Sequence, residues 1–385
     1  MIKNTLYKMI AVYCAIYRIF FKKEPLKINA SDIKKVLIIF THGIGDMCMF
    51  MPALDMVFSR FPHAQIDILT TPSALTVLNN QYAFGKIKFL HLQNSLREQK
   101  QIAEELRKEH YDLSLVGVVS PGIEDAAFLS WQIKAKYRIG PKNRPVYTHT
   151  FHIKEGVHDA VQNGTILRQF FHGEINFKDR PKIHIADEQK KAALNEMGIN
   201  DGGKYIIGIH PGGLEVDKYR RWPEENFAQL ADLLIESCQA RIVFFEGPEE
   251  YLLADRICAK MQHKALIIRG KPLKSVMEMI KACHLFISSD SGLGHIAAAV
   301  DVPVLAIFGP ADPRRTSPFG NKVWIVRKDL KCSPCYHKTG YCTQIKRYCL
   351  EDISSNEVFQ RILKIMKVKE DRFYEKKSFS QLYSA

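Results

Sequence analysis

From Val36 onward, short apolar runs alternate with amphipathic segments, the pattern of parallel strands joined by crossover helices. In the first half the runs predict strands at Val36 to Phe40, Gln65 to Leu69, Ile87 to Leu92, Leu113 to Val116 and Tyr137 to Ile139, with helical stretches such as Ser95 to His110. The pattern restarts at Tyr205. There the predicted strands are Tyr205 to His210, Arg241 to Phe245, Ala265 to Ile268, Leu285 to Ser288 and Val304 to Phe308, separated by helices such as Pro223 to Ser237 and Leu273 to Ala282. Between the halves, Glu174 to Lys204 is polar and charged and holds Pro181, Gly202 and Gly203, so the boundary is placed there. The expected organisation is an N-terminal segment 1–33, a domain 34–175, a linker 176–204, a domain 205–367 containing a Cys-rich loop 332–349 and a helix Ser354 to Lys367, and a frayed polar tail 368–385. The fold class is α/β, with two doubly wound domains. Facing each other, they would line a cleft with the carboxyl ends of both sheets, where open α/β sheets bind ligands.

Composition narrows the partners. At 385 residues, with 46% hydrophobic and 25% charged positions, the chain is an ordinary globular one, which excludes collagen-like and wholly disordered classes. Lys and Arg number 55 against 41 Asp and Glu, a net +14 that favours phosphorylated substrates, nucleic acid or acidic lipid. No aromatic-basic recognition motif accompanies the charge, so nucleic acid explains it poorly. The segment LYKMIAVYCAIYRIFF, Leu6 to Phe21, carries Lys8 and Arg18 and is followed by Lys22 and Lys23. It is too short and too charged for a membrane span, and no small-residue cleavage site follows it. It reads as an amphipathic helix on an anionic membrane face, with Tyr7, Tyr13, Tyr17, Phe20 and Phe21 at interfacial depth, or as a helix packed on the body.

Nine Cys are too few for a disulfide scaffold, and their odd number fits a reducing cytosol. Cys14, Cys48, Cys238, Cys258 and Cys283 are scattered in apolar surroundings and read as core filler. Cys332, Cys335, Cys342 and Cys349 cluster with spacing Cys-x2-Cys-x6-Cys-x6-Cys, which suits either a structural zinc site or free thiols.

Four motifs carry candidate chemistry. Thr41-His42-Gly43-Ile44-Gly45-Asp46 joins the first strand to a helix expected near Met47; Gly43 and Gly45 would allow positive φ and close backbone approach. Cys48 stands where a dinucleotide fingerprint needs its third Gly. Asp46 reads either as an N-cap or as a general base. His210-Pro211-Gly212-Gly213 ends another strand and is followed by Lys218, Arg220, Arg221, Trp222 and Pro223, cations that suit a diphosphate or form a solvated loop. Ser288-Ser289-Asp290-Ser291-Gly292-Leu293-Gly294-His295 lies between an apolar strand and the small-residue helix Ile296 to Val300; it reads as an anion cradle in which Asp290, Ser291 and His295 would contact phosphate or ribose, or as a buried capping Asp and a satisfied core His. Phe308-Gly309-Pro310-Ala311-Asp312-Pro313 is a turn at the same edge.

In this order the motifs resemble glycosyltransferase family 9, which includes the ADP-heptose:lipopolysaccharide heptosyltransferases. The resemblance runs from Val36 to the C-terminal helix, with its most specific piece DSGLGHIAAAVDVPVLAIFGPADPRRTSPFG, Asp290 to Gly320. GIGDMCMFMPALDMVFSRFPHAQIDILT, YDLSLV, RWPEENFAQLADLL and the CSPC segment support it. It implies a GT-B fold with two Rossmann-like domains, an inverting mechanism without an Asp-x-Asp metal site, and Asp46 as the general base. It also implies a donor site formed by His210, Gly212, Gly213, Lys218, Arg220, Asp290, Ser291, Gly292, Gly294 and His295. One departure is that Arg220 stands where the family commonly has Lys, with Lys218 two residues earlier, so either one would meet the diphosphate.

The implied activity is transfer of a sugar, expected to be heptose from ADP-heptose, to a hydroxyl of a lipid-linked saccharide of the lipopolysaccharide core. The expected location is the cytoplasmic face of a bacterial inner membrane, with no cofactor needed for catalysis. The alternatives are a nucleotide-sugar 2-epimerase of the same architecture and a sugar-nucleotide-binding module that has lost catalysis.

Overall fold

In a computed structural model, the structure describes residues 28–90, 95–117, 123–142, 146–171, 180–199, 205–213, 215–335, 342 and 344–366. The expected N-terminal amphipathic helix and the polar tail lie outside the described residues. The chain divides into two compact units: one runs to Ile185 and takes in Ala298–Asp301 and Arg314–Asn321, and the other holds the remainder from Ala186.

Each unit is built on a six-stranded, wholly parallel sheet. In the first, β1 (Lys35–Ile39), β2 (Gln65–Thr70), β3 (Ile87–Phe89), β4 (Leu113–Val116), β5 (Tyr137–Pro141) and β6 (His149–Phe151) lie in the order β3-β2-β1-β4-β5-β6. In the second, β7 (Ile206–His210), β8 (Arg241–Glu246), β9 (Leu266–Arg269), β10 (Leu285–Ser289), β11 (Val304–Ile307) and β12 (Val323–Val326) lie in the order β12-β11-β10-β7-β8-β9. Counted from its own first strand, each sheet has the doubly wound order 3-2-1-4-5-6, which reverses direction between the first and fourth strands. The central strands are buried along their length, as both-face helix cover requires: LSLV of β4 and IIGIH of β7 have no exposed position.

The second core gathers Ile207, Ile209, Trp222, Phe227, Leu230, Phe244 and Ile287 with Val358, Phe359, Ile362 and Ile365 of a helix over residues 355–366. Trp222 is fully buried, and its indole Nε1 donates to Ile353 O at 3.0 Å, which ties that C-terminal segment to the sheet. Cys48 and Cys283 are buried as expected, but Cys238 and Cys258 are only half-buried at the margin of this core. Among the described residues no helix is long and apolar enough to cross a membrane.

Candidate functional site

In the second unit, β7 runs beside β10 with His210 opposite Ser288, so the loops after both strands leave the sheet together at its point of reversal. His210 Nδ1 lies 2.7 Å from Ser291 Oγ, and its Nε2 lies 2.7 Å from Glu250 Oε1. All three side chains are buried. Glu250 also accepts from Gly213 N at 2.7 Å and from Gly247 N at 2.8 Å. Burial opposes its ionised form, but His210 and the two backbone amides outweigh that and hold the carboxyl below its ordinary value. The Glu250 contribution to stability is therefore present above the unfolded value near 4.5 and is lost as pH falls through the lower folded value.

The two glycines here do different work. Gly213 has φ +142°, a conformation that favours glycine. At Gly212 the close approach comes from within the chain: the Glu250 carboxylate fills the space where a Cβ would stand, in place of the expected ligand. Gly212→Ala should eject that carboxylate and cost about 1–3 kcal/mol from overpacking alone. Thermal unfolding of the variant checks this, and an unchanged midpoint would show that Glu250 does not need the space.

Arg220 Nη1 donates to Asp290 Oδ2 at 2.9 Å, which joins the basic segment to the loop after β10. Lys218 is exposed and pairs with Glu215 at 3.2 Å, so of the two cations only Arg220 meets this cluster. The expected helix at Ile296 to Val300 starts earlier, as Gly292–Ala299, so Gly292, Gly294 and His295 sit in its first turn rather than in the loop. Arg347 carries no signal in the sequence; its Nη1 donates to the carbonyls of Tyr219 at 3.3 Å and Arg221 at 3.2 Å, closing the end of the Glu215–Arg220 turn.

In the first unit the helix after β1 is Ile44–Arg60, and its N-cap is Gly43, at φ −76° and ψ 179°. Neither Gly43 nor Gly45 has positive φ. The N-cap reading of Asp46 is thereby corrected: the helix starts three residues before Met47, and Asp46 lies in its first turn, where a carboxylate meets the positive end of the helix dipole. The helix Asp159–Thr165 packs on it, with Asn163 Nδ2 donating to Met49 O at 3.3 Å. Asp159 is 1% exposed and takes a two-pronged bond from Arg315, whose Nη2 lies 3.1 Å from Oδ1 and 3.0 Å from Oδ2. Burial pushes the Asp159 carboxyl up, Arg315 opposes that, and the nearby Asp46 charge adds to it. Two carboxylates thus lie near each other beside the glycine turn.

The Cys-rich segment buttresses the turn after β11: Ser333 Oγ donates to Gly309 O at 2.6 Å, and Cys335 N donates to Pro310 O at 2.8 Å. The Cys349 thiol is pushed up to about 11, by burial first and then by Cys335, Cys342 and Cys332 around it. Among the described residues, however, no group of three or more His, Cys, Asp or Glu side chains is arranged to hold a metal ion.

Comparison with known proteins turns this geometry into a class. The sequence model of glycosyltransferase family 9 (heptosyltransferase) matches residues 100–346. The chain belongs to glycosyltransferase family 9. It is a glycosyltransferase with the two-unit α/β architecture of the GT-B fold, and the epimerase alternative is set aside. Lipooligosaccharide heptosyltransferase 2 of Haemophilus ducreyi is 28% identical over 314 residues, covering 76% of this chain and 88% of that protein. Lipopolysaccharide heptosyltransferase 2 of Escherichia coli is 22% identical over 348 residues, covering 85% and 97%. Among solved structures, E. coli ADP-heptose lipopolysaccharide heptosyltransferase II is similar with a TM-score of 0.69 at 19% identity, covering 87% of this chain and 99% of that one. The family 9 glycosyltransferase of Veillonella parvula gives 0.70 at 21% identity, covering 89% and 98%.

Proposed function

We propose that this family 9 enzyme moves heptose from ADP-heptose to a hydroxyl of a lipopolysaccharide core at the cytoplasmic face of the inner membrane. The observation that carries the donor half is the convergence of His210, Gly213, Arg220, Asp290 and Ser291 at the reversal point of the second sheet. Asp46, beside the reversal point of the first sheet, takes the proton of the acceptor hydroxyl as that oxygen attacks the anomeric carbon from the face opposite the leaving group. Arg220 and the N-terminus of Gly292–Ala299 balance the charge on the departing nucleoside diphosphate, and the reaction needs no divalent ion.

The experiment is to incubate the protein with a panel of nucleoside-diphosphate sugars, with and without bacterial lipid extract, and to measure released diphosphate. Release from ADP-heptose that depends on the extract and survives EDTA is expected. Binding without release would favour the inactive module.

Two further expectations belong to this reading. Membrane attachment rests on the first 23 residues, where Lys8, Arg18, Lys22 and Lys23 each contribute about 1 kcal/mol at an anionic surface. A chain starting at Ser31 should fail to float with anionic liposomes, and flotation equal to that of the full chain would remove the anchor. Cys332, Cys335, Cys342 and Cys349 hold a structural zinc ion, a reading supported by their Cys-x2-Cys-x6-Cys-x6-Cys spacing. Elemental analysis of protein purified under reducing conditions should find it, and less than about a tenth of an equivalent would discard the site.

A further inference from the structure

The buried chain from Glu250 through His210 to Ser291 has a direction set by chemistry. An ionised carboxylate only accepts hydrogen bonds, so the His210 nitrogen facing Glu250, Nε2, must carry a proton. In a neutral imidazole Nδ1 then bears a lone pair, and its 2.7 Å contact with Ser291 Oγ requires the serine hydroxyl to donate. Ser291 then presents only lone pairs to its surroundings, the wrong polarity for a phosphate. When the imidazole is protonated, Nδ1–H donates to Ser291 Oγ instead, and the hydroxyl proton is released to point at an anion.

We propose that binding of a nucleoside diphosphate group at the N-terminus of the helix Gly292–Ala299 is coupled to uptake of a proton by His210, with Glu250 as the positioning residue that fixes the direction of the chain. The inference rests on the reading above that Ser291 contacts the donor. The charged and titratable groups facing the chain are Glu250 from the loop after β8, Asp290 beside Ser291, Arg220 paired with Asp290, Arg221, whose Nη2 donates to Gly213 O at 2.6 Å, and His295 on the helix. Both arginines keep their charge at every relevant pH, and ionised Asp290 is matched by Arg220. His295 is the other imidazole that could take up the proton, and the variants below separate it from His210.

The test is titration calorimetry of the full chain with ADP-glucose, UDP-glucose and GDP-mannose, whose phosphodiester charges stay constant across the imidazole range. Affinity for the sugar nucleotide that binds should weaken by up to about tenfold per pH unit as pH rises through that range, and heats in two buffers should report proton uptake. Ser291→Ala keeps the Glu250 and His210 pair but removes the hydroxyl, so the pH dependence should flatten. Glu250→Gln removes the carboxylate that obliges Nε2 to carry the proton, so both tautomers of the neutral imidazole become available, Ser291 is partly freed above the imidazole range, and the slope should shrink. A wild-type affinity constant within about twofold across the range, or a Ser291→Ala variant that keeps the wild-type slope, would overturn the coupling. Failure of all three sugar nucleotides to bind would remove the donor-site reading, and the inference with it.

Discussion

Asp46→Asn should leave a folded protein that binds the sugar nucleotide nearly as well as wild type and turns it over about 10²- to 10⁴-fold more slowly, because an amide cannot accept the acceptor's proton. The structural cost should be small for a reason the geometry supplies. Asp46 is not the N-cap, and Asn keeps a side chain of the same shape with an accepting oxygen in the first turn. What disappears is a first-turn charge on the helix dipole, about 0.3–1 kcal/mol, and part of that is offset by relief of repulsion with Asp159. Nucleotide binding should be unchanged, since His210, Asp290 and Ser291 stand on the other sheet. Turnover above about a third of wild type would leave the base unassigned.

The strands that organise both sites are legible because each is a compact apolar run ending in a glycine or small-residue turn: the expected β4 coincides with Leu113–Val116, and the others agree within a few residues. β6 and β12 are not among the expected strands. HTF offers three residues and no apolar run, while VWIV is a compact apolar run that ends in Arg327 and Lys328 rather than in a glycine or small-residue turn. Edge position alone does not hide a strand, since β3 and β9 also lie at sheet edges and are legible.

Side-chain partners are less legible than strands. Glu250 lies in a charged turn, GPEE, that reads as solvated surface; its burial follows from β7 pairing with β8 and from the missing Cβ of Gly212. That Arg220 and not Lys218 reaches Asp290 depends on the short Glu215–Arg220 turn, whose end Arg347 holds from more than a hundred residues away. Asp159 reads only as a polar neighbour of a histidine, and Arg315 as one of two cations in a turn. Their pairing spans 156 positions and exists only because Arg314–Asn321 returns to the first unit.

That return is testable. Arg315→Met keeps the side chain's length and apolar stem but leaves Asp159 buried without its cation, and breaking a buried pair from one side costs about 3–5 kcal/mol. Arg315 is itself 23% exposed, so solvent screens the loss and the low end of that range, about 3 kcal/mol, is expected at neutral pH. For a unit of this size that lowers the unfolding midpoint by about 6–12 °C. The pH dependence gives the loss a signature. The folded Asp159 carboxyl already lies above its ordinary value, mainly through burial, so its favourable contribution is present below the unfolded value of 3.8 and is lost as pH rises through the folded one. Without Arg315 the folded value climbs further, so the variant should be weakest near neutrality and recover towards wild type as the solution is made mildly acidic. Adding Asp159→Asn to Arg315→Met removes the stranded charge and should restore most of the stability at neutral pH. A double variant as unstable as the single one would mean that Arg315 acts through packing, and that its bond to Asp159 contributes little.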